Sequence, residues 1–385
     1  MRLGRSIKLA IARSAWDPAK MANQHDDIRM KMLCYAILAP NPYNKQPWLV
    51  ELSGEDAITL YIDRERLLPM TDPLHRLIHI GQGTFLEVLS IAAKEFGYNP
   101  NIQLFPEGID SMEETGASPI AVVRLLRTVV EKDGLFRQIP ERFTNRRPYT
   151  GPPLTTDELR SLQNSYDATD YPTVFITEPE KMNRIANLMT EAMKVDLYVE
   201  RTHAEMIKMI RFNDDEIAAR RDGFSYENMG VTGISRLFAE RFAGRDKAFS
   251  DSFKKRTLSG THEMTHTARA FGIMFSPGNS RIDQVEVGRR FARVHLMATK
   301  LGLSMNPSTQ MLQEYDELAG VRETLSKIIK SIKPNSELPT AEILSGVTTA
   351  QMAFRLGRAK PTPHSPRREL VDFLKSQEAN RGSDY

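Results

Sequence analysis

The sequence predicts an α+β fold in which short strands of antiparallel type alternate with helices and one unit occurs twice. Three observations carry this expectation. Leu49-Val50-Glu51-Leu52 and Ile58-Thr59-Leu60-Tyr61-Ile62 alternate along their length and flank Ser53-Gly54-Glu55-Asp56, the pattern of a β-hairpin. Phe85, Leu86, Leu89, Ala92, Ala93 and Phe96 recur at helical spacing after Gly83, and Gly97 is placed to cap the run. The stretch Gly83 to Tyr98 also matches Gly288 to Leu303 without a gap, glycine on glycine, apolar on apolar, Ala93 on Ala298. One such helix is common, whereas the same helix met twice fits a duplicated fold.

Bulk properties narrow the classes. A chain of 385 residues can bury a sizeable core, as one large domain or two. A hydrophobic content of 41% and a charged content of 26% are those of a soluble globular protein. A net charge of +3 gives no case for nucleic acid, and a pI near 8.8 suits an anionic ligand. The single cysteine, Cys34, excludes an internal disulfide framework and sits in an apolar run, as a small core residue does. No run approaches the roughly 18 apolar residues of a membrane span. Arg2, Arg5, Lys8 and Arg13 break the first twenty residues too often for a secretory leader. Residues 1–23 therefore read as an amphipathic arm. The expected compartment is the cytoplasm, or the periplasm should an export signal precede this chain.

Residues 24–38 read as a helix leading into Ala39-Pro40-Asn41-Pro42-Tyr43-Asn44-Lys45-Gln46-Pro47-Trp48. Proline disfavours helix at the residue before it, so Ala39 to Asn41 should be extended. Asparagine tolerates unusual backbone angles and offers both a donor and an acceptor. Such a loop suits a flat ring with polar edges, or is simply a helix-to-strand turn. Asp63, Arg64, Arg66, Asp72 and Arg76 follow, as ion pairs or as ligand contacts. A strand at 120–126 closes a first half, 24–135.

The second half, 136–385, opens at Arg142-Phe143-Thr144-Asn145-Arg146-Arg147-Pro148-Tyr149. Guanidinium forks match phosphate oxygens two at a time, and a hydroxyl adds a donor. The alternative is a basic surface turn feeding a helix start at Thr155-Thr156-Asp157-Glu158. Residues 172–177, 271–275 and 352–358 read as strands, and 180–212 as methionine-rich helices of core type. Residues 213–265 are the least regular part and have the length and position of a lid. A terminal helix is expected over 368–377. Its basic start at Arg368, beside Arg367, opposes the helix dipole unless an anion is near.

His262-Glu263-Met264-Thr265-His266 is a literal H-E-x-x-H, with Glu286 spaced as a third zinc ligand. Zinc hydrolysis is thus an alternative. Against it, the flanking helix reads as short and polar, just before a strand.

Ala39-Pro40-x-x-x-Asn44-x-Gln46-Pro47-Trp48 resembles the A-P-S-x-x-N-x-Q-P-W signature of the flavin-dependent nitroreductase superfamily, with Asn41 and Pro42 in place of its small serines. Arg142, Thr144 and Arg146 fall on the family's R-x-S-x-R-x-F segment, with Arg147 as an extra donor. Met305, Asn306 and Pro307 fall where the family turns backbone amides toward the flavin N5 edge. Arg368, with Arg367 beside it, falls on the K-S-R or R-R element of the phosphate pocket. The Asp63 to Arg76 pattern is similar to the Acg-like branch, in which two subunits are fused, and the likeness covers most of residues 24–375.

The resemblance implies a nitroreductase-like fold, with antiparallel-type sheets flanked by helices, duplicated in one chain as a pseudo-dimer. It implies one non-covalent FMN per chain. Pro40, Asn41, Pro42, Asn44 and Gln46 of the first half would meet the ring, and the arginines of the second half the phosphate. It further implies hydride transfer from NAD(P)H to flat acceptors such as nitroaromatics or quinones, with no catalytic side chain, no nucleic acid and no membrane. The chain would act as a monomeric pseudo-dimer or a homodimer. The alternative within the resemblance is an FMN-binding or storage protein with little turnover, since Asn41 and Pro42 depart from the family pattern.

Overall fold

The computed structural model describes residues 2–231, 236, 244–332 and 349–375. The arm forms two helices, α1 (Arg2–Ala12) and α2 (Pro18–Ala22), and α3 (Ile28–Ala36) follows. α3 starts later than expected because the Asp27 carboxylate accepts from the Arg29 N–H and caps the helix there. β1 (Trp48–Ser53) and β2 (Ala57–Ile62) form the expected hairpin, antiparallel from Trp48↔Ile62 to Ser53↔Ala57.

The next helix, α4, runs Arg76–Glu95, not from Gly83. Its start is fixed from upstream. The Asp72 carboxylate accepts from the N–H groups of Leu77 and Ile78 at 3.0 Å each, and His75 turns the chain at φ 55. β3 (Tyr98–Leu104) was not expected, because Pro100 argues against a strand. It is an edge strand, where a missing N–H is tolerated. With β4 (Ala121–Arg127) it completes a sheet of order β1-β2-β4-β3.

The second half contains α5 (Thr156–Gln163), opened by the Thr155/Glu158 capping box, and β5 (Thr173–Ile176). α6 (Pro179–Tyr198) and α7 (Glu200–Met209) follow. β6 (Ile210–Arg211) and β7 (Phe224–Ser225) pair across α8 (Asp214–Arg220). α9 (Asp251–His266), longer than the short helix expected there, leads to β8 (Ala270–Ser276). α10 (Arg281–Lys300), β9 (Ser304–Pro307), α11 (Ala319–Lys330) and β10 (Thr349–Gly357) complete the half. The expected terminal helix is instead a 3-10 turn over Leu370–Phe373, and residues 376 and 377 lie outside the described residues.

The second sheet has the order β5-β8-β10-β9 and is antiparallel throughout, as is the first. β1 matches β5, β2 matches β8, β4 matches β10 and β3 matches β9. α4 and α10 each run into the matching edge strand through a left-handed glycine, Gly97 at φ 84 and Gly302 at φ 67. The fold is thus α+β and doubled within one chain. The halves differ most at one hairpin. Three residues, 54–56, join β1 to β2, whereas residues 177–269 lie between β5 and β8. That excursion contains the expected irregular region 213–265 but begins earlier, with α6 and α7. Residues 232–235 and 237–243 within it lie outside the described residues.

The two copies of the repeated helix cross. A Cβ on Gly83 would lie 1.9 Å from the Val285 carbonyl oxygen, and one on Gly288 would lie 2.0 Å from that of Ile80. Ile80 and Gly83 match Val285 and Gly288 in the repeat, so the contact is reciprocal, as a two-fold relation requires. α4 is buried continuously from Arg76 to Ala93, as the central helix of a core is. Among the described residues no helix is long and apolar enough to cross a membrane.

Candidate functional site

Beside the crossing lies a cavity of about 930 Å³, which Leu77, Ile80, Gly81 and Thr84 of α4 line together with Phe291 of α10. The loop after α3 forms one wall. Asn41 is extended (φ −155, ψ 161), as expected. Tyr43, Asn44 and Gln46 then take left-handed φ values of 49, 55 and 52. Each such residue costs roughly 1–2 kcal/mol, so the surroundings must hold it. The Gln46 N–H donates to Asn41 Oδ1 at 2.7 Å. Asn44 Nδ2 donates to the carbonyls of Gly223 (3.0 Å) and Pro366 (2.9 Å), and Asn44 Oδ1 accepts from Arg367. Asn44 therefore anchors the loop with both ends of its amide. Gly81 lets the loop approach α4, since a Cβ there would lie 3.2 Å from Pro42 Cδ.

Basic residues stand directly against this loop. Arg142 and Arg367 are 3% and 4% exposed. Arg142 donates to the Leu38 carbonyl (2.7 Å) and Arg367 to the Ile37 carbonyl (2.9 Å). Among the described residues neither pairs with a carboxylate. Burial draws the Arg142 pKa down to about 9 and, with Arg142 beside it, holds Arg367 well below the usual range. Arg146 is half-buried, 5.2 Å over the Phe224 ring, and burial draws it down to about 10. Buried cations without a counter-charge are costly, and guanidinium forks fit phosphate oxygens in pairs. The donor set therefore fits a phosphorylated ligand.

Of the sequence-predicted residues, Pro40, Asn41, Pro42 and Asn44 of the first half line the cavity. Arg142, Thr144, Arg146, Asn306, Pro307 and Arg367 of the second half line it as well. Gln46, Arg147, Met305 and Arg368 do not line it. Gln46 is fully buried, donates to the Arg221 carbonyl (2.8 Å) and accepts from the Arg368 N–H (2.9 Å). Arg368 faces Asp63 at 3.4 Å and the Phe373 ring at 4.5 Å. Neighbours in an extended segment point opposite ways, so Arg367 and not Arg368 meets the cavity. Met305 is buried, and its carbonyl accepts from the Asn145 N–H at 3.0 Å. The Arg147 N–H donates to Asn145 Oδ1 at 3.1 Å.

Sequence reasoning missed Trp16, Tyr43 and His364, and it took Met193 and Met206 for plain core, yet all five line the cavity. Phe224, Met229 and Phe253 of the excursion join them. Trp16 stacks on His364 at 3.9 Å, with ring planes 9° apart. Burial first, then Arg142, Arg367 and Arg13, push the His364 pKa down to about 4. Asp63, Arg66 and Asp222 form ion pairs (3.1–3.2 Å), and Asp72 caps α4, so this acidic and basic stretch is structural.

His262 and His266 share a face of α9, with ring centroids 3.8 Å apart. The supposed third ligand, Glu286, bonds Arg289 (3.1 Å) and Arg290 on α10. Among the described residues no group of three His, Cys, Asp or Glu is placed to hold a metal. Cys34 is buried, and burial pushes its thiol up to about 12, as befits a core residue.

No family model matches the chain. A candidate NAD(P)H nitroreductase of Mycobacterium tuberculosis, Acg, is 23% identical over 362 residues, which cover 90% of this chain and 95% of that protein. An uncharacterised protein of the same bacterium is 22% identical over 360 residues, covering 90% and 94%. A candidate nitroreductase of Anabaena variabilis has a TM-score of 0.41 at 12% identity, over 84% of this chain and 82% of that one. The FMN-dependent nitroreductase NfnB of Mycobacterium smegmatis, solved in complex with NADPH, has a TM-score of 0.36 at 15% identity, over 62% and 96%. In sequence, over nine-tenths of its length, this chain resembles the Acg-like branch of the nitroreductase superfamily.

Proposed function

We propose that the chain is an FMN-dependent oxidoreductase of the nitroreductase type. It would take hydride from NAD(P)H and pass it to flat acceptors such as nitroaromatics or quinones. One observation carries this reading. One cavity is lined both by the Pro40–Asn44 loop and by the buried Arg142 and Arg367 from beyond the first sheet, which have no carboxylate partner among the described residues. The name of the M. tuberculosis relative supports it.

Non-covalent FMN, one per chain, would supply the hydride chemistry. Arg142, Arg367 and Thr144 would hold its phosphate, Asn41 and Pro42 would face the ring, and Asn306 and Pro307 would bring backbone to it. Met193, Met206, Met229 and Phe253 offer a flat acceptor an apolar wall and keep water out. No side chain is assigned as acid or base. In domain terms we assign residues 1–23 as the arm, 24–135 and 136–385 as the halves, and about 213–265 as a lid. With both halves in one chain, a monomeric pseudo-dimer or a homodimer and a cytoplasmic NAD(P)H supply belong to the same proposal.

The test is the visible spectrum of the purified protein, with flavin counted per chain after denaturation. One FMN is expected. Anaerobic NAD(P)H should bleach it within seconds, and an acceptor should restore the colour. Absence of flavin binding sinks the proposal. The excursion's wall across the cavity favours a second reading, FMN binding or storage with little turnover. That reading prevails if the bound flavin stays oxidised under NAD(P)H.

A further inference from the structure

We propose that Trp16 is a positioning residue of the cavity's anion-binding end, holding Arg142 beside Arg367 without a counter-charge so that Arg142 donates to a phosphate monoester within the field of both. The Arg142 guanidinium carbon lies 5.7 Å from the Trp16 ring centroid, and that of Arg367 lies 4.8 Å away. Two buried cations side by side repel, and each has lost its water. A carboxylate would relieve both costs, but it would also neutralise the pair and occupy its N–H forks. An aromatic face stabilises a guanidinium without taking up its edge N–H groups. Arg367 spends its own on the carbonyls of Ile37, Leu38, Ala39 and Pro366 and on Asn44 Oδ1, so it contributes charge, whereas Arg142 donates among the described residues to the Leu38 carbonyl and keeps donors for a ligand. The indole is what this site has where a carboxylate would otherwise stand.

The arm is fastened to the site so that the indole stays in place. Trp16 Nε1 donates to the Ser365 carbonyl at 2.8 Å, Arg13 Nε to that of His364 at 2.9 Å, and the Arg367 N–H to that of Ala12 at 3.0 Å. Arg13 also pairs with Glu227 of the excursion at 2.6 Å. His364, stacked on the indole, is uncharged near neutrality, because burial and three arginines hold its pKa near 4. It adds shape without adding a third positive charge. Two guanidinium charges then face a ligand group that carries nearly two negative ones.

The inference rests on the flavin reading only for the carrier of the phosphate, so the test separates the two. Wild type, Trp16→Leu and Trp16→Phe are stripped of bound ligand, checked by circular dichroism, and titrated with FMN and with riboflavin by fluorescence quenching. Trp16→Leu should weaken FMN by about 10- to 100-fold, leave riboflavin within about threefold, and be largely rescued in Trp16→Phe. Inorganic phosphate should raise the unfolding temperature of wild type and not that of Trp16→Leu. Equal losses for both flavins, or no loss for FMN, overturn the proposal. If wild type binds neither flavin, the flavin reading fails alone, and phosphate stabilisation decides the Trp16 assignment. Wild type and Trp16→Leu responding alike to phosphate would then overturn it.

Discussion

The two halves share a sheet order and a central helix, yet at matching positions those helices do opposite things. α4 presents Gly81 and Thr84 to the cavity, where Gly81 admits the Pro42 loop and the Thr84 hydroxyl faces the Pro40 carbonyl. At the matching positions α10 carries Glu286 and Arg289, which bond each other at 3.1 Å. Arg289 also reaches Glu87 at 3.1 Å, and Arg293 joins Glu87 (2.9 Å) to Asp133 (2.7 Å). Small side chains leave room on one face, and ion pairs fill the other. The comparison teaches that duplication fixes a framework while each copy of a surface is free to keep or lose its opening.

Disruption should be most severe at the shared seam. Gly83→Leu or Gly288→Leu would place carbon where a backbone oxygen already sits, 1.9–2.0 Å from the first added atom. A loss of about 3 kcal/mol or more is expected, seen as a lowered unfolding midpoint or failure to fold. An unchanged midpoint would show that the helices do not meet there. Next comes the open side. Arg142→Met should weaken FMN by about 100-fold, because a charge-assisted pair is lost, while Arg289→Met on the filled side should leave affinity within a few-fold. Flavin titration decides, and equal effects would erase the distinction between the faces.

A third measurement uses His79 of α4, which α10 replaces with Gln284. Burial, and secondarily Arg281, push the His79 pKa down to about 3. The folded state then binds fewer protons than the unfolded one between about pH 3 and 6.5, so stability is full above 6.5 and is lost as pH falls. Urea unfolding should show about 2 kcal/mol less stability at pH 5 from this group, and His79→Gln should remove that part of the slope. An identical slope in the variant would contradict the assignment. A double substitution on α10 should have the mildest consequence. Glu286→Gly with Arg289→Thr copies the α4 face onto α10 and should cost about 1 kcal/mol, since these side chains are only partly buried. Flavin should remain at one per chain by absorbance. Two per chain would mean that side-chain bulk alone had closed the second face.

Much of this was legible in the sequence, for identifiable reasons. Alternation announced β1 and β2, and Gly83 matched Gly288 because both must admit a backbone. The loop at Pro40–Asn44 and the arginines at 142 and 146 could be read because short polar motifs survive where a backbone must take one shape. The start of α4 was hidden because its cap, Asp72, lies several residues upstream and acts across a left-handed His75. The excursion's true extent was hidden because α6 and α7 have the periodicity of ordinary core helices, although Met193 and Met206 face the cavity. Arg367 and Arg368 were ranked in the wrong order because adjacency in sequence says nothing about which one points inward. Trp16 carried no local signal, as its partners are the distant Arg142, His364, Ser365 and Arg367.

The glycine crossing joins segments about two hundred residues apart, and α4 is apolar around most of its circumference. During synthesis that helix emerges long before the segment that will cover it. For tens of seconds, at the usual pace of translation, the nascent chain must carry a greasy rod with no mate. Chaperone dependence, slow maturation and loss of early-terminated products to aggregation are the burdens that a fused pair inherits and a true homodimer of short subunits shares out.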